Sequence, residues 1–155
     1  MAYFGQLSDM GEVPPYTNDL IGTFTLFCAD PYKYEATART HSGNPKVIRH
    51  PSPYAVPPDE IAVTLTTGDT AVTIKNTTTG RQIALTGTYA PGDVILFTPQ
   101  ATNPALRLTV NGQAAMAQLD YLTSDFGVFT IRDGDTITAL PADAALRVTL
   151  RGRWK

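Results

Sequence analysis

Cysteine and histidine are almost missing from this sequence. Among its 155 residues there is one cysteine, Cys28, and there are two histidines, His41 and His50. A single thiol excludes an internal disulfide framework and any multi-cysteine zinc centre. The two histidines lie in a proline-rich stretch with no carboxylate or thiol at ligand spacing, so no metal cluster is expected, and both read as exposed loop residues. Excess positive charge is missing too. Twelve Lys and Arg stand against 14 Asp and Glu, for a net charge of −2, which excludes a dominant basic footprint for nucleic acid or anionic lipid. No apolar run approaches the roughly 18 residues that a membrane-spanning helix needs. The first 20 residues have no basic flank leading into an apolar core, so they do not read as a secretion signal, and a soluble product of the non-secretory route is expected. Long helices are excluded by punctuation: the longest stretch free of both Gly and Pro is 113–126, only 14 residues.

What is abundant points the other way. Hydrophobic residues make up 43% and charged residues 17%, enough to build a core. With 23 Thr, 12 Gly and 12 Pro, the composition is that of short strands and many turns. Residues 1–21 are polar and irregular and read as an arm. Residues 22–30, GTFTLFCAD, alternate as a strand that stops at Asp30-Pro31. Residues 36–40 read as a further extended piece, and 41–58, with five prolines, as a stiff connection. From Glu60 the rhythm is regular. Strands are expected at 61–65, 71–75, 82–85, 94–98, 106–110, 126–131, 136–140 and 146–154. Asn111-Gly112 and Asp133-Gly134 are hairpin signals. In the last strand Leu146, Val148 and Leu150 fall on one face, with Arg147, Thr149 and Arg151 on the other. Such spacing predicts an all-β sandwich or barrel, with one helical turn within 117–123.

No catalytic set can be assembled. Asp59-Glu60, Asp133 with Asp135, and Asp120 with Asp125 are close acidic pairs, but sequence neighbours seldom face each other across a cleft. Asp133-Gly134-Asp135 and Pro91-Gly92-Asp93 read as turns. Cys28, in an apolar strand, reads as a small buried hydrophobe. No catalytic, metal-binding or cofactor-binding residue is therefore assigned, and an assembly or binding module is expected. Among the aromatics, Tyr54 and Tyr89 lie in Pro/Gly-rich surroundings and are the candidate sugar or partner contacts, whereas Tyr121 is expected in the core.

Two stretches say more. FTLFCADPYKY at 24–34 resembles the joint of the distal tail proteins of long-tailed, siphovirus-like bacteriophages. NTTTGRQIAL, PGDVILF, LRLTVNG, DFGVFTIRDGDT and LRVTLRGRW then follow in the order seen in the C-terminal half of that family, so the resemblance runs from residue 24 to residue 154. It implies a galectin-like antiparallel β-sandwich at 36–155, preceded by an extended arm and junction strand at 1–35. Asp30, Pro31, Tyr32 and Tyr34 would form the domain junction. It also implies a structural virion protein of the tail tip, made in the host cytoplasm, without catalysis or cofactor. Such a protein joins the end of the tail tube and the tip hub to receptor-binding or other peripheral tail proteins. Family members carry a whole ring-forming domain, hexameric when assembled, ahead of the joint. Here only residues 1–29 precede it, so a truncated ring half is expected, either in a C-terminal piece or in a shortened protein. The second reading is a carbohydrate-binding module for host cell-wall polysaccharide, resting on Tyr54 and Tyr89.

Overall fold

The computed structural model describes residues 33–154, together with the backbone of two earlier strands. Those strands, β1 (Gln6–Met10) and β2 (Phe24–Phe27), pair antiparallel with a register irregularity between Leu7 and Asp9. The first of them falls within the stretch expected to be irregular. Cys28, Asp30, Pro31 and Tyr32 lie outside the described residues.

Alternation of apolar and polar side chains builds the rest. A short pair, β3 (Lys33–Tyr34) and β14 (Arg153–Trp154), joins the beginning of the described chain to its end. Between them run β4 (Arg39–Ser42), β5 (Lys46–Val47), β6 (Glu60–Thr64), β7 (Asp69–Asn76), β8 (Gln82–Tyr89) and β9 (Val94–Phe97). Then come β10 (Leu108–Val110), β11 (Gln113–Ala114), β12 (Thr136–Leu140) and β13 (Ala145–Leu150). They form a six-stranded sheet ordered β11-β10-β9-β6-β13-β4 and a four-stranded sheet ordered β5-β12-β7-β8, with every pairing antiparallel.

On β13, Leu146, Val148 and Leu150 are buried while Arg147 is exposed, as the period of two requires. Cross-strand register carries this inward row through the sheet: Val148 stands opposite Ile61, which stands opposite Phe97, which stands opposite Leu108. The other sheet supplies Val72, Ile74, Ile83, Leu85 and Ile137, and the two inner faces close one core. Each such side chain contributes about 1.5–3 kcal/mol of burial, so two interlocked sheets need neither disulfide nor metal. The β10–β11 turn is held by Asn111 at φ 51° and Gly112 at φ 78°. Two successive left-handed residues make the tight hairpin turn that Asn-Gly favours.

The structure departs from expectation at several places. Residues 126–131 are not a strand: 126–128 form a 3₁₀ turn, and only Ile131 bridges, to Val56. Phe126 and Phe129, three apart, both place their rings edge-on to Phe97, with centroids at 5.1 and 6.1 Å. A spacing of three cannot be met by a pleated strand, so the segment coils. The helical turn near 117–123 is a 3₁₀ turn at Met116–Gln118. Neither histidine is a loop residue on the surface. His41 lies on β4, and His50 is 4% exposed, covered within the fold. Tyr121 is 66% exposed, not in the core, because it lies in the turn that follows Asp120; its hydroxyl donates to the Met116 carbonyl. Among the described residues, no helix is long and apolar enough to cross a membrane.

Candidate docking surfaces

Three surfaces follow from this layout. The first lies at the β3–β14 pair, where Tyr34 of the expected junction sits on β3 against β14. Glu35 continues the ladder through its amide to the Gly152 carbonyl (3.0 Å), and its Oε2 accepts the Gly152 amide in return (3.0 Å). The same carboxylate takes a bidentate contact from Arg39, at 2.9 Å from Nε and 2.8 Å from Nη2. The hydrogen bond from Arg39 holds the Glu35 carboxyl below its ordinary range; partial burial opposes this, and the Gly152 amide adds to it. A Cβ on Gly152 would lie 3.1 Å from the Trp154 ring and 3.2 Å from Glu35 Oε2, so glycine lets the clasp close.

Because the folded protein lowers the Glu35 pKa, its contribution is present above the unfolded value of about 4.5 and is lost as pH falls through the folded value. Glu35→Gln is expected to cost about 1 kcal/mol, the scale of one partly solvated charge-assisted hydrogen bond. Thermal melts between pH 6 and pH 3 check this: the difference between parent and variant should vanish at the acid end.

The second surface is the outward face of the six-stranded sheet. Register places Ser42, Arg147, Ala62 and Leu96 in one row across it. Arg147 pairs with Glu60 at 2.9 Å, and a shallow trough runs past Ala62, Thr64 and Gly43. Exposed pairs of this kind add little stability but fix the charge pattern that a partner meets.

The third surface covers the free edge of β8. Leu119 bridges to Leu85, the Asp120 amide donates to the Ala84 carbonyl (2.9 Å), and the Asp125 amide donates to the Gln82 carbonyl (2.7 Å). Covering an edge in this way stops strand-to-strand aggregation. Asp120 then builds a tight tip. Its Oδ1 accepts the Leu122 amide (3.0 Å), its Oδ2 accepts the Thr123 hydroxyl (2.8 Å), and the Ser124 amide returns to its carbonyl (3.0 Å). The hydroxyl of Thr123 and the amide of Leu122 hold the Asp120 carboxyl below its usual range. At the summit Leu122 is 97% exposed, flanked by Tyr121 and, further along the same edge, by Val128 at 55% exposure. Arg81 fastens this stretch by donating to the Val128 carbonyl.

Of the aromatics singled out in the sequence, the structure buries one and leaves the other partly exposed. Tyr89 ends β8 at 3% exposure, its hydroxyl donating to Gln118 Oε1 (2.9 Å), and burial pushes its phenol pKa up. Its ring therefore offers no open face. Tyr54 is partly exposed in the 51–58 loop, where its backbone amide meets Ser52 Oγ. Leu122 escaped the sequence reading. The signal that finds it is Asp120 followed by Thr123 and Ser124, an Asx-turn composition wrapped around an apolar residue.

Among the described residues no group of three or more His, Cys, Asp or Glu stands close enough to hold a metal ion. The three surfaces are an apolar tip, a hydroxyl- and charge-lined sheet face, and the Glu35 clasp at the β3–β14 pair.

Comparison with known proteins agrees with this architecture. No curated protein matches the chain. Among solved structures, the crystal structure of SPP1 Dit (gp 19.1), described as a paradigm of the hub adsorption apparatus in Gram-positive-infecting phages, superposes with a TM-score of 0.72 at 12% sequence identity. The match covers 99% of this chain and 60% of that one, so the chain spans about three fifths of the length of SPP1 Dit. The shared fold bears out the galectin-like sandwich. Residues 53–154 match the family described as siphovirus-type tail component, C-terminal domain. The chain thus belongs to the siphovirus-type tail component family and is a structural protein of a bacteriophage tail.

Proposed function

We propose that the sandwich is a docking module of the tail tip, linking the end of the tail tube and the tip hub to peripheral or receptor-binding tail proteins. Family membership of residues 53–154 supports a tail role, and the description of SPP1 Dit as part of a hub adsorption apparatus supports the position within the tail. The observation that carries the docking role is Leu122, fully presented on a tip whose backbone is fixed by Asp120. Exposing a leucine on a rigid turn brings the fold no burial. It is suited to insertion into a partner's pocket, where an apolar anchor ringed by polar groups contributes most to binding. Nothing in the geometry favours the saccharide reading, since Tyr89 is buried.

Leu122→Asp tests the proposal. The variant should melt within about 0.5 kcal/mol of the parent, as surface substitutions do. Its binding to purified neighbouring tail proteins should fall at least about tenfold, a 1.4 kcal/mol effect. Unchanged binding in a titration by calorimetry would overturn the assignment of Leu122 as the anchor.

A further inference from the structure

His50 and His41 are placed where the sandwich leaves their rings short of hydrogen-bond partners. Both ring nitrogens of His50, and Nε2 of His41, are buried with no hydrogen-bond partner among the described residues. His41 stands opposite the inward Val148 on edge strand β4, so its ring lies on the core side of that strand. His50 follows the fully buried Ile48 by two residues, and its backbone amide is held by Asp133 Oδ1 at 3.0 Å.

The surroundings are mostly cationic. Arg39 on β4, Lys46 on β5 and His50 itself face His41; Arg49 is paired with Asp133 across 3.6 Å; Glu35, already clasped by Arg39, is the carboxylate that senses His50. A divalent metal would meet Arg39 and Lys46, and no third ligand group accompanies the pair among the described residues. Proton uptake at the His41 ring would place charge in a desolvated and already positive edge.

We propose that His41, packed beside the buried His50, forms an acid-released latch. Neutral, its ring seals β4 against the sandwich; protonated, it drives that edge open. The direction at His41 agrees: burial, then Lys46, His50 and Arg39, lower its pKa, and the backbone contact with Arg49 only partly offsets them. The stability held by the neutral ring is therefore present above the unfolded pKa of about 6.5 and is lost as pH falls through the folded value. Four residues separate β4 from β3, so opening of this edge reaches the junction clasp and the chain that leads into it.

Hydrogen exchange read by mass spectrometry on the full chain, at pH 7.5 and pH 5.5 and corrected for intrinsic rates, tests the latch. Peptides within 39–52 should open roughly tenfold more often for each unit of pKa lowering, while β8 stays protected. His41→Gln, a substitution on the edge strand, should remove the response. Equal protection of 39–52 at both pH values, or a full acid response in His41→Gln, would overturn the proposal.

Discussion

Phe97→Ala is expected to destabilise the sandwich by about 3–5 kcal/mol, the range for a fully buried aromatic. Phe97 has no exposed surface, and it sits on β9 at the point where the six-stranded sheet meets the coiled segment 126–131. Its ring receives both Phe126 and Phe129 edge-on. Truncation thus removes two aromatic contacts, each worth about 0.5–1.5 kcal/mol beyond burial, and leaves a cavity under a segment with no strand ladder to hold it. The thermal midpoint should fall by on the order of 10 °C or more. A calorimetric scan of the variant checks this, and a drop of only a degree or two would mean that 126–131 collapses into the space.

Asp135→Ala is the second large effect, expected at about 2–4 kcal/mol, because it orphans buried donors. Asp135 Oδ2 accepts both the Asn76 side-chain amide (2.7 Å) and the Arg132 backbone amide (2.8 Å), and Asn76 is itself fully buried. Asn76 Oδ1 in turn takes the Thr78 and Thr79 amides at 3.1 and 3.3 Å. The pair therefore ties the turn after β7 to the turn before β12. Without the carboxyl group, the side-chain NH2 of Asn76 keeps only its longer contact to the Thr130 carbonyl (3.3 Å). Asp135→Asn keeps the shape and one acceptor, so its loss should be about half as large. Urea unfolding reads both: the midpoint should drop with an unchanged slope.

These two sites show what the sequence discloses and what it conceals. The period-two pattern of β13 is local, and Leu146, Val148 and Leu150 point inward as their spacing says. Asn111-Gly112 specifies its hairpin by backbone geometry alone. The stretch 126–131 is apolar enough for a strand, but its conformation is decided by Phe97, some thirty residues earlier in the chain. Burial of His50 and Tyr89 is likewise set by distant elements: the Asp133 turn for one, Gln118 for the other. Asp135 was legible as a turn residue, yet its bond to Asn76 spans 59 positions. The docking tip hid for a different reason. An exposed leucine has no periodic signature, and only the Asx turn beneath it marks the place.

The most direct test of the tail-tip assignment is where the protein sits in the particle. An antibody raised against residues 53–154, applied to purified phage particles that incorporate this chain and viewed by immunogold electron microscopy, should place label at the distal end of the tail. Label confined to the capsid, or spread along the whole length of the tail, would contradict the account.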